Sequence, residues 1–310
     1  MTASGWFQRS RWFCALVGHQ RSRASRCCHH QMNWLRSVLL MRASSGTGFS
    51  NSSTEGLADP RKTEVEYATL HDLPLAAVQK MFSGTVAIVC PNGNSSAQFV
   101  GSHTVFTTSA HAFRSLIDCH LVNDPLKCSL VVPEKGKSKV KRLIASGYED
   151  CSNLVLPERD WAVLEIDSPM EDVVPYDLPG DDPHRPPEIE PMVVRVALGE
   201  ANFLGRPRPR WSVYRKSIED CSIKDRTNYG LWWTDCAVYK GASGGSILQK
   251  LGYSKFELLG VITGFEAAQN DRTCFRDGRN CRSSFVVLTG EFLEAVRHAI
   301  ANGTQPRRSP

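Results

Sequence analysis

The stretch Asp235–Leu248, reading DCAVYKGASGGSIL, constrains this chain more than any other. Ser243 stands among small residues, and an apolar run, Ser246 to Leu248, follows it. A nucleophilic serine needs a base to take its proton and backbone N–H groups aimed at the oxyanion it creates. Gly241 suits the second need, because glycine takes backbone angles closed to other residues and lets a carbonyl come close. In such a turn the N–H groups of Gly241 and Ser243 form the hole. A plain glycine-rich turn before a strand has the same composition, so the partners must decide.

The base should be a histidine held by a carboxylate. His111 ends the segment Val105-Phe106-Thr107-Thr108-Ser109-Ala110-His111, an apolar strand running into small residues and a turn. Asp160 opens Asp160-Trp161-Ala162-Val163-Leu164-Glu165-Ile166, in which Ala162 and Leu164 alternate toward a core. His103 is a rival base, but it lies in a turn ahead of its strand, which suits a surface or structural histidine.

Together these segments resemble the chymotrypsin-like (trypsin-like) serine peptidases, which carry T-A-A-H, D-x-A-x-L and G-x-S-G-G in that order. This chain reads T-S-A-H at Thr108–His111, D-W-A-V-L at Asp160–Leu164 and G-A-S-G-G at Gly241–Gly245. The resemblance covers about residues 80 to 300. It implies an all-β fold of two six-stranded antiparallel β-barrels with a C-terminal helix. His111 and Asp160 would come from the first barrel and Ser243 from the second. Two other serine folds fail on order. The G-x-S-x-G elbow of α/β-hydrolases needs its acid and histidine after the serine, where only His298 follows. Subtilisins run Asp, His, Ser, whereas this chain runs His, Asp, Ser.

The resemblance implies a serine endopeptidase in which Ser243 attacks, His111 moves the proton and Asp160 orients the imidazole. Substrates would be proteins or peptides, with no cofactor and no metal. The alternative is a catalytically idle homologue that binds proteins through the same cleft. The pocket for the residue before the scissile bond (P1) would be lined by Ala237, Val238, Thr263, Gly264, Phe265 and Ser283. None of these is charged, so a small or medium uncharged P1 is expected. Lys240 and Arg282 lie close enough in sequence to keep an acidic P1 open. The backbone of Thr263–Phe265 would pair with substrate as an added strand, and Thr263 is a candidate partner for Asp160. Ala242 stands where many digestive and clotting members carry an acid that pairs with a newly cut amino terminus. No cysteine directly follows His111 either. Both departures place the pattern nearer the bacterial-type and organellar branches.

Charge is unevenly spread. Residues 1–54 hold seven arginines and no acid, leaving 30 basic against 32 acidic residues in the body. The net +5 is therefore a property of the leader and gives the body no nucleic-acid-binding character. Met32–Arg42 has the form of a basic amphipathic helix, as in mitochondrial or plastid transit peptides. An unstructured tail, or translation from Met32 or Met41, fits as well. No run approaches the roughly 20 apolar residues of a membrane span. Residues 1–60 are thus expected as leader and linker, 61–175 as the first barrel, 176–303 as the second with the terminal helix, and 304–310 as a polar tail.

Within the body, strands are expected over Gly84–Cys90, Ala97–Gly101, His103–Thr108, Leu116–Leu121, Ser129–Val132, Lys139–Ala145 and Trp161–Ile166. After the proline-rich connection Pro169–Pro191 come Met192–Gly199, Trp211–Tyr214, Gly230–Thr234, Ser246–Leu248, Phe256–Thr263 and Ser284–Leu288. Leu70–Phe82 reads as a short helix or extended entry, Lys135–Arg142 as a basic loop and strand edge, and Glu291–Ala301 as an amphipathic helix set on the second barrel. Eight cysteines fall in the body, and spacing alone leaves their pairing open. The short loops suggest Cys119–Cys128, Cys221–Cys236 and Cys274–Cys281. Disulfides, with sequons at Asn51, Asn94 and Asn302, point to an oxidising compartment, against the transit-type leader. The compartment and the oligomeric state stay open.

Overall fold

The computed structural model describes residues 60–132, 135–149, 156–180, 192–198, 215–238, 241–251, 255–267 and 281–303, without the side chains of 265–267 and 281–282. The basic leader, most of the linker, residues 181–191, the strand expected at Trp211–Tyr214, Lys240, Cys151, Cys274, Asn51 and the tail lie outside the described residues.

Six strands, β1 (Thr85–Cys90), β2 (Gly93–Phe99), β3 (Val105–Thr108), β4 (Ser129–Val132), β5 (Gly136–Ser146) and β6 (Ala162–Ile166), close a barrel in the order β1-β2-β3-β6-β5-β4. Six more close a second: β7 (Met192–Leu198), β8 (Lys216–Arg226), β9 (Leu231–Thr234), β10 (Ser246–Lys250), β11 (Phe256–Ala267) and β12 (Cys281–Val287). Their order, β7-β8-β9-β12-β11-β10, repeats that of the first. Every neighbouring pair is antiparallel. Closure leaves no free sheet edge.

Local chemistry explains most strands. β1 reads T-V-A-I-V-C, rich in β-branched residues that pack well on a pleated surface. β5 alternates exposed Lys137, Lys139 and Lys141 with buried Ser138 and Val140, the period of a half-buried wall. The basic segment Lys135–Arg142 is therefore mostly strand, with its lysines on the outer face. Leu116–Leu121, expected as strand, is instead a run of turns with one isolated bridge, Arg114 to Leu121. Leu121 is exposed, and Cys119 takes a positive φ of 58°. β8 is an addition to the expected strands.

Each barrel encloses its own core. The first is filled by Val86, Ile88, Phe99, Phe106, Leu130 and Leu164 among others, the second by Val193, Ala197, Ile247, Leu259, Ile262 and Phe285. A larger cluster lies under the flanking helices.

The ends of the described body cross over. Helix α1 (Glu64–Leu70) starts at a capping box of Thr63 and Glu66, and α2 (Leu75–Met81) follows. This entry binds the second barrel. Lys62 bridges Ile218, Tyr67 donates to Asp220 at 3.0 Å, and Phe82 meets Phe256 at 5.4 Å between ring centroids. The terminal helix α3 (Gly290–Gly303) leaves the second barrel and lies against β3, β5 and β6 of the first. That differs from the expected seat, and Phe292 stacked on Trp161 at 4.9 Å shows what draws it across. No helix among the described residues is long and apolar enough to cross a membrane.

The structure bonds Cys221 to Cys236, as the spacing suggests, but bonds Cys128 to Cys90 instead of Cys119. The ladder explains the correction. β1 and β4 pair with Ala87 opposite Val131 and Val89 opposite Ser129, so the next register positions are Cys90 and Cys128. Their Cα atoms are 4.3 Å apart, the distance of directly opposed strand residues. Cys119 is also disulfide-bonded. The suggested Cys274–Cys281 pair lies outside the described side chains. The sequon at Asn94 is set into β2, and its amide nitrogen is buried, which leaves no room for a glycan.

Candidate active site

The pairing of β3 with β6 builds the first half of the site. Thr108 lies opposite Ala162, so continuing the register brings Ala110 beside Asp160. His111 stands on a 3-10 turn, Ala110–Ala112, and Asp160 closes another, Pro157–Arg159. Asp160 is fully buried. Its Oδ1 accepts the His111 backbone N–H at 2.8 Å, and its Oδ2 lies 2.6 Å from His111 Nδ1. A carboxylate accepts from Nδ1, so in the neutral imidazole Nδ1 carries the proton and Nε2 keeps its lone pair. Burial pushes the His111 pKa down, but the charge and hydrogen bond of Asp160 outweigh it, and the net shift is upward.

Thr263 comes from the second barrel. The β11–β12 register slips between Ile262 and Gly264, which leaves Thr263 at an irregularity. Such bulges re-aim a side chain. Here the Thr263 hydroxyl donates to Asp160 Oδ2, a third donor on the buried carboxylate.

Ser243 sits half-buried in the turn before β10. The turn is tied inward by Gly244 N–H to the Ile262 carbonyl (2.7 Å), Gly245 N–H to Ala242 (2.8 Å) and Ile262 N–H to Gly245 (2.9 Å). Gly244 has a φ of +76°, and a Cβ there would lie 2.1 Å from the Ser96 carbonyl oxygen and 2.2 Å from Thr108 Oγ1. The serine turn is therefore pressed against the segment that leads into His111. Gly241 also has a positive φ, 105°.

The residues expected to line a pocket fall on three segments of the second barrel. Ala237 and Val238 are buried just beyond Cys236. Gly264 lies on β11 opposite Ser284, and Phe265 lies opposite Ser283 on β12. Ser283 also pairs with Thr234 on β9 and shares a 2.7 Å hydroxyl contact with it. Lys240 and the side chains of Phe265 and Arg282 lie outside the description. His103 turns away from the site, with its Nδ1 3.2 Å from the Met170 carbonyl.

Two features escape the sequence reading. Ser95 and Ser96 of β2 reach the serine turn. Glu219, buried on β8, accepts the Ala237 N–H at 3.0 Å. The alternation of β2 is the only sequence signal for the first, and nothing marks the second. Glu219, Cys221 and Cys236 are close enough to suggest a metal site, but the disulfide consumes both thiols.

No family model matches the chain, and no curated protein matches it in sequence. Among solved structures it is similar to that of a Glu endopeptidase in complex with MPD. The TM-score is 0.53 and the identity 13%, over 71% of this chain and 91% of that one. At that identity the likeness speaks for the fold alone, and the fold is chymotrypsin-like: two closed six-stranded antiparallel barrels with a C-terminal helix.

Proposed function

We propose that the chain is a serine endopeptidase working through Ser243, His111 and Asp160. The observation that carries this is the buried Asp160 carboxylate, bonded to His111 at both Nδ1 and N–H, at the seam where Gly244 packs the serine turn against Thr108. In the proposed reaction, Ser243 Oγ attacks a peptide carbonyl and His111 Nε2 takes its proton. The N–H groups of Gly241 and Ser243 hold the oxyanion. The imidazolium then protonates the leaving amine, giving an acyl-enzyme and a new amino terminus. Water, deprotonated by the same imidazole, releases the acid and restores Ser243. Substrate pairs as an added strand with Thr263–Phe265, and its P1 side chain enters between Ala237–Val238 and Ser283.

The P1 preference proposed is small or medium and uncharged. Ala237 brings no charge, and Ser283, held by a 2.7 Å hydroxyl contact with Thr234, brings none either. Ala242 offers no acid to a newly cut amino terminus, so activation by that route is not part of the proposal.

The test is labelling of the full chain by a fluorophosphonate, beside Ser243→Ala. Labelling of the native chain and its loss in the variant are expected. The rate should rise with pH through a histidine pKa above 6.5, because only neutral His111 is a base. Peptidyl phosphonates with Ala or Val at P1 should label faster than those with Lys, Arg or Glu. A folded native chain that fails to label overturns the enzyme reading in favour of a binding homologue.

A further inference from the structure

Period two sets the two faces of β2. Ala97 and Phe99 point into the first core, so Ser96 and Gln98 point out of it, toward the second barrel. Ser96 is fully buried there. Its N–H donates to the Ser243 carbonyl at 2.8 Å. Its hydroxyl accepts the Leu198 N–H at 2.9 Å and has the carbonyls of Gly241 and Leu198 at 3.1 and 3.2 Å. A serine hydroxyl has one proton, so it serves one of these carbonyls at a time. Ser95 Oγ adds a second donor to the Ser243 carbonyl, at 2.6 Å. One residue of the first barrel thus touches the backbone on both sides of Ala242, and also the end of β7.

We infer that Ser96 is a positioning residue for the oxyanion hole, holding the Gly241–Ser243 turn from the opposite barrel. The inference rests on the reading of Ser243 as the nucleophile. The hole is made of backbone, and among the described residues of the turn no side chain is bonded so as to fix where those N–H groups point. The Ser96 N–H holds the Ser243 carbonyl, and its hydroxyl, when turned to Gly241, holds that carbonyl. These bonds fix the two peptide planes that flank the Ala242–Ser243 plane, so the clamp acts on the Ser243 N–H from both sides and on the Gly241 N–H from one. The frame is therefore set before substrate arrives, the condition under which dipoles stabilise a transition state without reorganising. The clamp does not touch His111 or Asp160, so its removal leaves the base as it is.

The experiment is fluorophosphonate labelling of the full chain as native protein, Ser96→Ala and Ser95→Ala, resolved into reversible binding and covalent rate. Ser96→Ala should slow the covalent step about 10- to 100-fold, because an oxyanion-hole donor is worth roughly 100- to 1000-fold and the clamp acts on it indirectly. Reversible binding and the pH dependence of the rate should stay native. Ser95→Ala should slow the step less than threefold, since the Ser96 N–H still holds the Ser243 carbonyl. Should Ser96→Ala fail to fold, Ser96→Cys keeps the volume while replacing the hydroxyl with a weaker hydrogen-bonding thiol, and the same slowing is expected. A native covalent rate in either folded variant overturns the inference while leaving the peptidase reading standing. An unlabelled native chain overturns the peptidase reading itself.

Discussion

The two barrels share one strand order but furnish their common seam differently. The first holds His111 and Asp160 through its own β3–β6 ladder, with Thr263 reaching across from the second. The second presents Ser243 on a turn whose outward carbonyls are bound by Ser95 and Ser96 of the first. Their interiors differ too. The first is packed mainly with apolar side chains, with Ser138 beside Val140 on β5. In the second, Arg195, Ser217 and Glu219 are buried on the strand faces that also carry Val193, Ala197 and Cys221. One Glu219 carboxylate oxygen accepts the Ala237 backbone N–H, next to Cys236. The base pair is thus complete within one barrel, while the serine turn is completed only when the barrels dock. Anything that loosens the seam should reach Ser243 before it reaches His111.

The largest break in this asymmetry is Gly244→Ala. The added Cβ would overlap the Ser96 carbonyl and Thr108 Oγ1, and the backbone is already left-handed. Neither neighbour can yield, because Thr108 Oγ1 is itself bonded to the Ser96 carbonyl at 2.7 Å. A loss of more than about 4 kcal/mol is expected. Urea unfolding would measure it, with labelling abolished under conditions where the variant remains folded. A variant that keeps native stability would mean that the seam is looser than described.

Disulfide removal sharpens the comparison. Cys90–Cys128 closes a loop of 38 residues and Cys221–Cys236 one of 15. Chain entropy gives about 4 kcal/mol for the first and about 3 kcal/mol for the second. The order should reverse for labelling. The first bridge pins β1 to β4, whereas Cys236 lies just past β9, next to Ala237 and a few residues ahead of Ser243. Serine pairs at each site, compared by unfolding midpoint and labelling rate, should lose more stability in the first barrel and more labelling in the second. Equal effects on labelling would remove the asymmetry.

Why some of this was legible in the sequence follows from the same contrast. A β-branched run announces β1 and the Ala162–Leu164 alternation announces β6, and the T-S-A-H, D-W-A-V-L and G-A-S-G-G segments each put a reactive residue at the end of a strand or in a turn. Such signals are local. β8 was missed because K-S-I-E-D-C-S-I-K-D-R carries charge on both faces, one of them buried in Glu219. Leu116–Leu121 has strand-like composition but, among the described residues, only the isolated Arg114–Leu121 bridge and no ladder. The Cys90–Cys128 bond needs the β1–β4 register, which joins residues far apart in the chain. The serines at 95 and 96 read as part of a sequon because their partners lie more than a hundred residues away.

The smallest effect tests whether charge on the outer wall of the first barrel stays out of the site. Glu165 is buried beneath Lys141 and Arg142, the latter at 2.6 Å. Burial raises its pKa, but hydrogen bonds and charge from the two cations outweigh that and hold it below the ordinary 4.5. A carboxyl with a depressed folded pKa adds stability at pH values above its unfolded pKa and loses it as pH falls through the folded value. Both cations are more than a third exposed, so solvent screening keeps the contribution to about 1 kcal/mol. Glu165→Gln should therefore unfold at lower urea than the native chain near neutral pH, and the gap should close as pH falls below the ordinary 4.5 and through the lower folded value. Labelling of Ser243 should not change. A variant that labels slowly would show that the outer wall of the first barrel feeds the seam, and the division of labour between the barrels would have to be redrawn.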